Sequence, residues 1–148
     1  MNQLTATTHH MDVTRTLIGG FAATIVITLM MYFGASMMIG APMDIAGELA
    51  RMIGAPWLLG MVMHFVLGTA IFAFAYVFVA PMILPGNAPI RGMTWGIVLW
   101  LVAMLMMSPM MGKGLFMGAM PAAVASLVGH LAYGLTLGMI VPIPAKHA

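Results

Sequence analysis

Charge is what this sequence has least of. Its 148 residues include five lysines and arginines and three acids, so only 5% of the chain is charged, where a soluble domain carries about a quarter. So thin a charged coat does not hold a 15.7 kDa particle in water; it fits a chain whose surface faces lipid. A net charge of +2, scattered along the sequence, excludes the dense basic patch that binds nucleic acid. Cysteine is absent, which rules out disulfides, thiolate metal sites and iron–sulfur clusters. The sequence signatures of catalysis are missing too: no Ser/His/Asp set, no intramembrane carboxylate pair, no HExxH and no phosphate loop.

What is present is apolar. Hydrophobic residues make up 63% of the chain and the mean hydropathy is +1.09. A spanning helix needs roughly 20 apolar residues to cross ~30 Å of hydrocarbon, and four segments qualify: about 16–41, 57–80, 92–107 and 122–141. Charges and prolines mark their ends: Arg15 and Pro42, Pro56 and Pro81, Arg91 and Pro109, Pro121 and Pro142. Proline at a helix start is tolerated because that N–H is unpaired anyway, a role that suits Pro56 and Pro121. None of the spans alternates like a barrel strand, so helices are expected. The fold class is all-α, an integral membrane four-helix bundle spanning residues 16–148 behind a polar tail, 1–15. The first segment is too long for a cleaved signal core and reads as retained.

Residues 43–53 predict an interfacial amphipathic helix, with Asp44, Glu48 and Arg51 on a solvated face and Ile45, Leu49 and Met52 on an apolar one. Leu84 to Ile90 reads as a turn, and Ser108 to Met120 as a Gly/Met-rich connection. An even number of spans puts both termini on one side. The positive-inside rule assigns that side, with Arg15, Arg91 and Lys146, to the cytoplasm, against Arg51 and Lys113 outside.

Every fourth residue of the first segment is small or polar: Gly20, Thr24, Thr28, Tyr32, Ser36, Gly40. The third gives Gly92, Gly96, Trp100, Met104, Ser108, Gly112. Gly60, His64 and Gly68 in the second segment parallel Ser126, His130, Gly134 and Gly138 in the fourth. The chain therefore reads as a duplicated helical hairpin, a parallel repeat. Small residues four apart let helix backbones approach where no hydrophobic effect drives them together, so Gly60, Gly68, Ser126, Gly134 and Gly138 are candidate packing positions. A strict four-residue stripe drifts around its helix, so that of the first segment cannot all face one neighbour.

His64 and His130 are the ionisable side chains placed inside these segments, tyrosines aside, and polar residues at membrane depth are functional candidates. Two imidazoles at one depth on parallel helices could be the axial ligands of haem b. The alternatives are helix-to-helix hydrogen bonds, with Thr24, Thr28 or Tyr133 as partners, and a proton or substrate relay. Twenty methionines bring a second candidate, since Met106/Met110 and Met107/Met111 share a helix face and thioethers suit Cu(I). Methionine is also a flexible packing residue, and that reading leads. His9-His10-Met11 could hold a metal weakly. Trp57, Trp95 and Trp100, with Tyr76, read as interfacial anchors or packing.

The stretches LLGMVMHFVLGTAIFAFAY and LVGHLAYGLTLGMI carry His-x-x-x-Gly and Gly-His-x-x-Tyr-Gly. In these the chain resembles a family of small bacterial four-span membrane proteins of unknown function. That resemblance implies a bacterial inner-membrane location and no particular activity. The function expected is that of a non-enzymatic membrane protein, an accessory or structural component whose partners are the bilayer and either further copies or a larger complex. A haem b or quinone-linked carrier using His64 and His130, and an oligomeric transporter or channel subunit, are the alternatives.

Overall fold

The computed structural model describes residues 12–141 and 143, so His9, His10, Met11 and Lys146 lie outside the described residues. Among the described residues, five α-helical elements and a short 3-10 turn, Leu115–Gly118, make an all-α bundle. Helix α1 spans Val13–Ile39, α2 Ile45–Ile53, α3 Trp57–Ile83, α4 Ala88–Met110 and α5 Met120–Ile140. All but α2 are long and apolar enough to cross a membrane. No strand occurs among the described residues.

The ends differ from those expected of the sequence, for local reasons. Helix α1 begins earlier because the Asp12 carboxylate accepts the Arg15 N–H at 2.9 Å, satisfying a free donor of the first turn. It stops at Ile39 because Gly40 takes the left-handed conformation, φ 77°, a glycine helix stop. Asn87 accepts the Ile90 N–H at 3.1 Å and starts α4 at Ala88, ahead of Gly92 and inside the expected turn. Helix α3 runs past Pro81 to Ile83. So close to the helix end, the missing proline N–H costs a single backbone bond.

Packing runs in the order α3–α1–α5–α4, with α3 and α4 meeting only marginally, so α3 and α5 are diagonal. Glycine sets the close approaches. A methyl on Gly20 would overlap the Thr69 carbonyl, and one on Gly92 the Gly134 carbonyl. Large apolar side chains meanwhile point outward from every long helix: Phe33 is 67% exposed, Leu58 65%, Leu105 49% and Met139 62%. In water each would lose on the order of 25 cal/mol per Å² left unburied; in hydrocarbon none does.

Three of the long helices contain a π-helical turn, at Met30–Gly34, Leu67–Ile71 and Ala103–Met107. A π turn frees a carbonyl of the regular ladder, and two of these are used in tertiary bonds. The Ala35 N–H reaches back to Met30, and the Met31 carbonyl takes the Met43 N–H at 2.9 Å. The Phe72 N–H reaches back to Leu67, and the Gly68 carbonyl takes the Tyr133 hydroxyl at 2.6 Å.

Candidate functional site

The polar residues of α1 form a ladder. Thr24 and Thr28 donate to the carbonyls four residues back, Gly20 at 2.7 Å and Thr24 at 2.6 Å, and Ser36 does the same to Tyr32 at 2.6 Å. Burial falls along the stripe: Thr24 is fully buried, Thr28, Tyr32 and Ser36 are half-buried, and Gly40 is exposed. A four-residue step advances 40° beyond a full turn, so the stripe rotates out of the interface while Ile27, Met31 and Ala35 take its place.

His64 of α3 meets this ladder, its Nε2 lying 3.0 Å from Thr28 Oγ1. With the Thr28 hydroxyl proton assigned to the Thr24 carbonyl, the Thr28 oxygen is left to accept from Nε2–H of His64. His130 of α5 bonds within its own helix, Nδ1–H donating to the Ser126 carbonyl at 2.8 Å. The two histidines lie on diagonal helices, and between those helices, one turn further along each, the Tyr133 hydroxyl is bonded to Gly68.

Among the packing candidates, Gly60 lies against the Ala46 carbonyl of α2 and Gly68 against the Thr24 side chain. Gly134 faces the Gly92 carbonyl, Gly138 lies against Ala88 and Gly92, and Ser126 is buried. Met106 and Met110 are 59% and 65% exposed, while Met107 and Met111 are half-buried. No three His, Asp or Glu side chains group together among the described residues in a way that could hold a metal. Trp100 of α4 donates to the Ala123 carbonyl of α5 at 3.0 Å.

Three features were not visible in the sequence. The first is Asp44, which does not stand on a solvated face. It precedes α2 as its cap, and its Oδ1 accepts from the Gly47 N–H at 3.0 Å, Trp57 Nε1 at 2.9 Å and the Tyr32 hydroxyl at 2.5 Å. Burial works against the charge, but these three donors and the nearby Arg51 outweigh it and hold the Asp44 carboxyl below the usual range. The cap could have been found from an aspartate three residues ahead of a glycine N–H; the reach of Trp57 could not. Glu48, on the same helix, is paired with Arg51 and, at 2.7 Å, with Lys113, tying α2 to the α4–α5 connection. Burial again opposes ionisation of Glu48, and the two cations overcome it.

The second feature is Arg91, expected to mark the end of a span. It lies within α4 and is only 3% exposed. Its guanidinium donates to the carbonyls of Leu84 at 3.0 Å, Gly86 at 3.0 Å and Ile143 at 2.7 Å. At the same end Arg15 Nε donates to the Ile140 carbonyl at 2.5 Å.

The third is the pair Tyr76 and Trp95, 0% and 5% exposed, with ring centroids 6.2 Å apart. Neither the hydroxyl nor the indole N–H finds a hydrogen-bond partner among the described residues. An unpartnered buried hydroxyl costs about 1–3 kcal/mol. Tyr76→Phe is therefore expected to raise resistance to denaturant in detergent by about 1 kcal/mol. A loss of stability instead would mean that the hydroxyl binds an internal water.

A shallow groove of about 540 Å³ lies between α1 and α3, lined by Thr28, Leu29, Tyr32, Phe33, Trp57 and Met61 among others. Asp44 stands at its rim through its bonds to Tyr32 and Trp57. Compared with known proteins, residues 10–148 match the model of a family described as a family of unknown function (DUF6789). No curated protein and no solved structure matches the chain.

Proposed function

The chain belongs to that family of unknown function, and from its own residues we propose that it is a multi-pass membrane protein of accessory kind, a non-enzymatic component of a membrane assembly. The observation that carries this reading is the contrast between its two surfaces. Outward, the four long helices present large apolar side chains. Inward, their polar groups are mostly engaged in helix bonds, as with Thr24, Thr28, His130 and Tyr133, so little is left over for chemistry.

The haem reading loses support on the same grounds. A macrocycle held by His64 and His130 would have to fit between α3 and α5, where the Tyr133–Gly68 bond closes the gap. Of the two imidazoles, His64 already bonds Thr28 through Nε2, whereas His130 bonds Ser126 through Nδ1 alone, so the closed gap is what weighs against a haem. Against transport, the Thr24, Thr28 and Ser36 hydroxyls of the α1 stripe are turned back onto their own helix, and that of Tyr32 is bonded to Asp44. Two hairpins built as copies remain part of the proposal. Gly20 meets the Thr69 carbonyl across the first as Gly92 meets Gly134 across the second, and π turns fall late in both leading helices. The protein would sit in a bacterial inner membrane with the Arg15 and Arg91 end in the cytoplasm.

Two measurements on one preparation test this. The protein is expected to stay in the membrane pellet after an alkaline carbonate wash, and release into the supernatant would refute the membrane reading. Dithionite-reduced and oxidised optical spectra of protein from haem-replete cells are expected to show no b-type band. A band that vanishes in a His64→Ala/His130→Ala variant would make it a cytochrome instead.

A further inference from the structure

At the end of the bundle opposite Arg15 and Arg91, one ion pair ties the two hairpins together. Helix α2 packs on α3, residues 111–119 connect α4 to α5, and Lys113 Nζ lies 2.7 Å from Glu48 Oε1. Arg51 bonds the same oxygen. One carboxylate oxygen therefore holds two cations side by side. Arg51 has a second acid near it, Asp44, whereas Glu48 is the one acid paired with Lys113 among the described residues.

The connection that carries Lys113 is strained and loosely packed. Phe116 and Met117 both take left-handed backbone, φ 51° and 60°, a region that disfavours every residue but glycine. Gly112 and Gly114, on either side of Lys113, have open space where a side chain would stand. Besides the ion pair, Ser108 and Trp100 hold the segment. The Ser108 hydroxyl donates to the Gly114 carbonyl at 2.7 Å and accepts the Met117 N–H at 3.0 Å, its carbonyl takes the Lys113 N–H at 3.0 Å, and the Phe116 and Trp100 rings lie 5.7 Å apart. Strain of this kind persists only where the surroundings over-determine the backbone, and here one of those supports is a carboxylate.

We propose that residues 111–119 form a two-state strap, closed on α2 while Glu48 is charged and lifted from it when Glu48 is neutralised. Opening is then favoured on two counts. Arg51 and Lys113, gathered by one oxygen, become neighbouring like charges, and Arg51 turns to Asp44 while Lys113 has no such alternative. Phe116 and Met117 also relax out of the left-handed region, with Gly112 and Gly118, φ 75° and 64°, as the flexible ends. Burial opposes the charge on Glu48, but Lys113 and Arg51 outweigh it and keep the carboxyl below its usual range, so the strap is closed at neutral pH. A lowered folded pKa keeps the tie in place above the ordinary glutamate value, about 4.3, and removes it as pH falls through the lower folded value. Of the neighbouring elements, α3 brings no charge to Glu48, and α1 brings Tyr32, which is bonded to Asp44.

The chain has no cysteine, so Ile53→Cys on α2 and Leu115→Cys on the strap, 49% and 61% exposed, place two nitroxide labels uniquely in the full-length protein in nanodiscs. Double electron–electron resonance is expected to give one narrow distance at neutral pH. Glu48→Gln is expected to add a longer, broader distance at the same pH, its share raised about tenfold, the lower end for losing a bond to a charged group because Lys113 is partly exposed. Lys113→Gln cuts the same tie without leaving two cations together and is expected to open the strap less. In the native protein the longer distance should grow in as pH is lowered to about 3, and in Glu48→Gln it should be present at every pH. A native distance in Glu48→Gln at neutral pH would overturn the proposal. So would an acid-induced change of native size in Glu48→Gln, which would assign the response to another group. Should Glu48→Gln fail to fold, Lys113→Gln decides, since it alters only the connection, and an unchanged distance there overturns the strap.

Discussion

Gly134→Leu is expected to separate α4 from α5 and to destabilise the protein by about 3 kcal/mol, the upper range for overpacking a tight contact. The contact is reciprocal. A methyl on Gly134 would overlap the Gly92 carbonyl, and one on Gly92 would overlap the Gly134 carbonyl. Both obstacles are backbone, which cannot rotate aside as a side chain does. One turn on, Gly138 lies against Gly92 and Ala88, and one turn back Gly96 lies against the His130 carbonyl, so the whole crossing sits at glycine spacing. Without a hydrophobic effect between helices in lipid, this approach and the bonds it permits are what hold the pair together. Gly134→Ala should cost less than leucine, and combining it with Gly92→Ala should cost less than the two singly, since one separation relieves both clashes. Unfolding by denaturant in detergent micelles measures this, with Met139→Leu on the exposed face of α5 as the control, expected within about 0.5 kcal/mol of the native protein. Gly134→Leu matching that control would show that the crossing is not held by backbone approach.

The sequence made some of this architecture easy to read. Length and hydropathy alone place four apolar helices, and Gly92, Gly134 and Gly138 stand out by their spacing. The helix ends were harder. Asn87 and Asp12 act as caps through side-chain bonds that hydropathy does not register, so α1 and α4 begin earlier than the apolar segments do. The π turns had no signal: Met30–Gly34 and Leu67–Ile71 are ordinary helix-forming sequence, and only the tertiary bonds to the Met31 and Gly68 carbonyls account for the freed groups. Of the candidate site, His64 was legible as a polar residue at depth, and Thr28 was among its named partners. Asp44 was misread because an i, i+4, i+7 pattern puts it on a helix face, whereas it precedes the helix and turns back toward Tyr32 and Trp57. Charge patterns place residues on a helix surface but do not say what arrives from the next one.

Arg91→Met is expected to cost about 3 kcal/mol, more than most surface charges, because this arginine has no solvent to return to. It is 3% exposed, and its guanidinium serves the carbonyls of Leu84, Gly86 and Ile143. Leu84 closes α3 and Ile143 follows α5, so the side chain spans the ends of two helices, where carbonyls lack partners within the helix. Methionine keeps much of the volume and removes all of these donors, so the loss reads hydrogen bonding and not a cavity. Lysine keeps the charge but is a single point donor without the planar fork that reaches several acceptors at once; Arg91→Lys is expected to recover only part of the difference. Hydrogen exchange locates the effect. In Arg91→Met, protection should fall at the Leu84 N–H, bonded to Ala80, and the Val141 N–H, bonded to Leu137, while α1 near Gly20, packed on Thr69 of α3, keeps its native protection. A uniform loss along all four long helices would mean that Arg91 supports the bundle as a whole, and full protection with native stability would mean that water replaces the guanidinium at these carbonyls. The first outcome would make Arg91 a local clasp that fixes the end of α5 and the α3–α4 turn. That end carries Arg15 as well, bonded to Ile140, so the cations that the positive-inside rule counts for topology would also close the helix ends they sit beside.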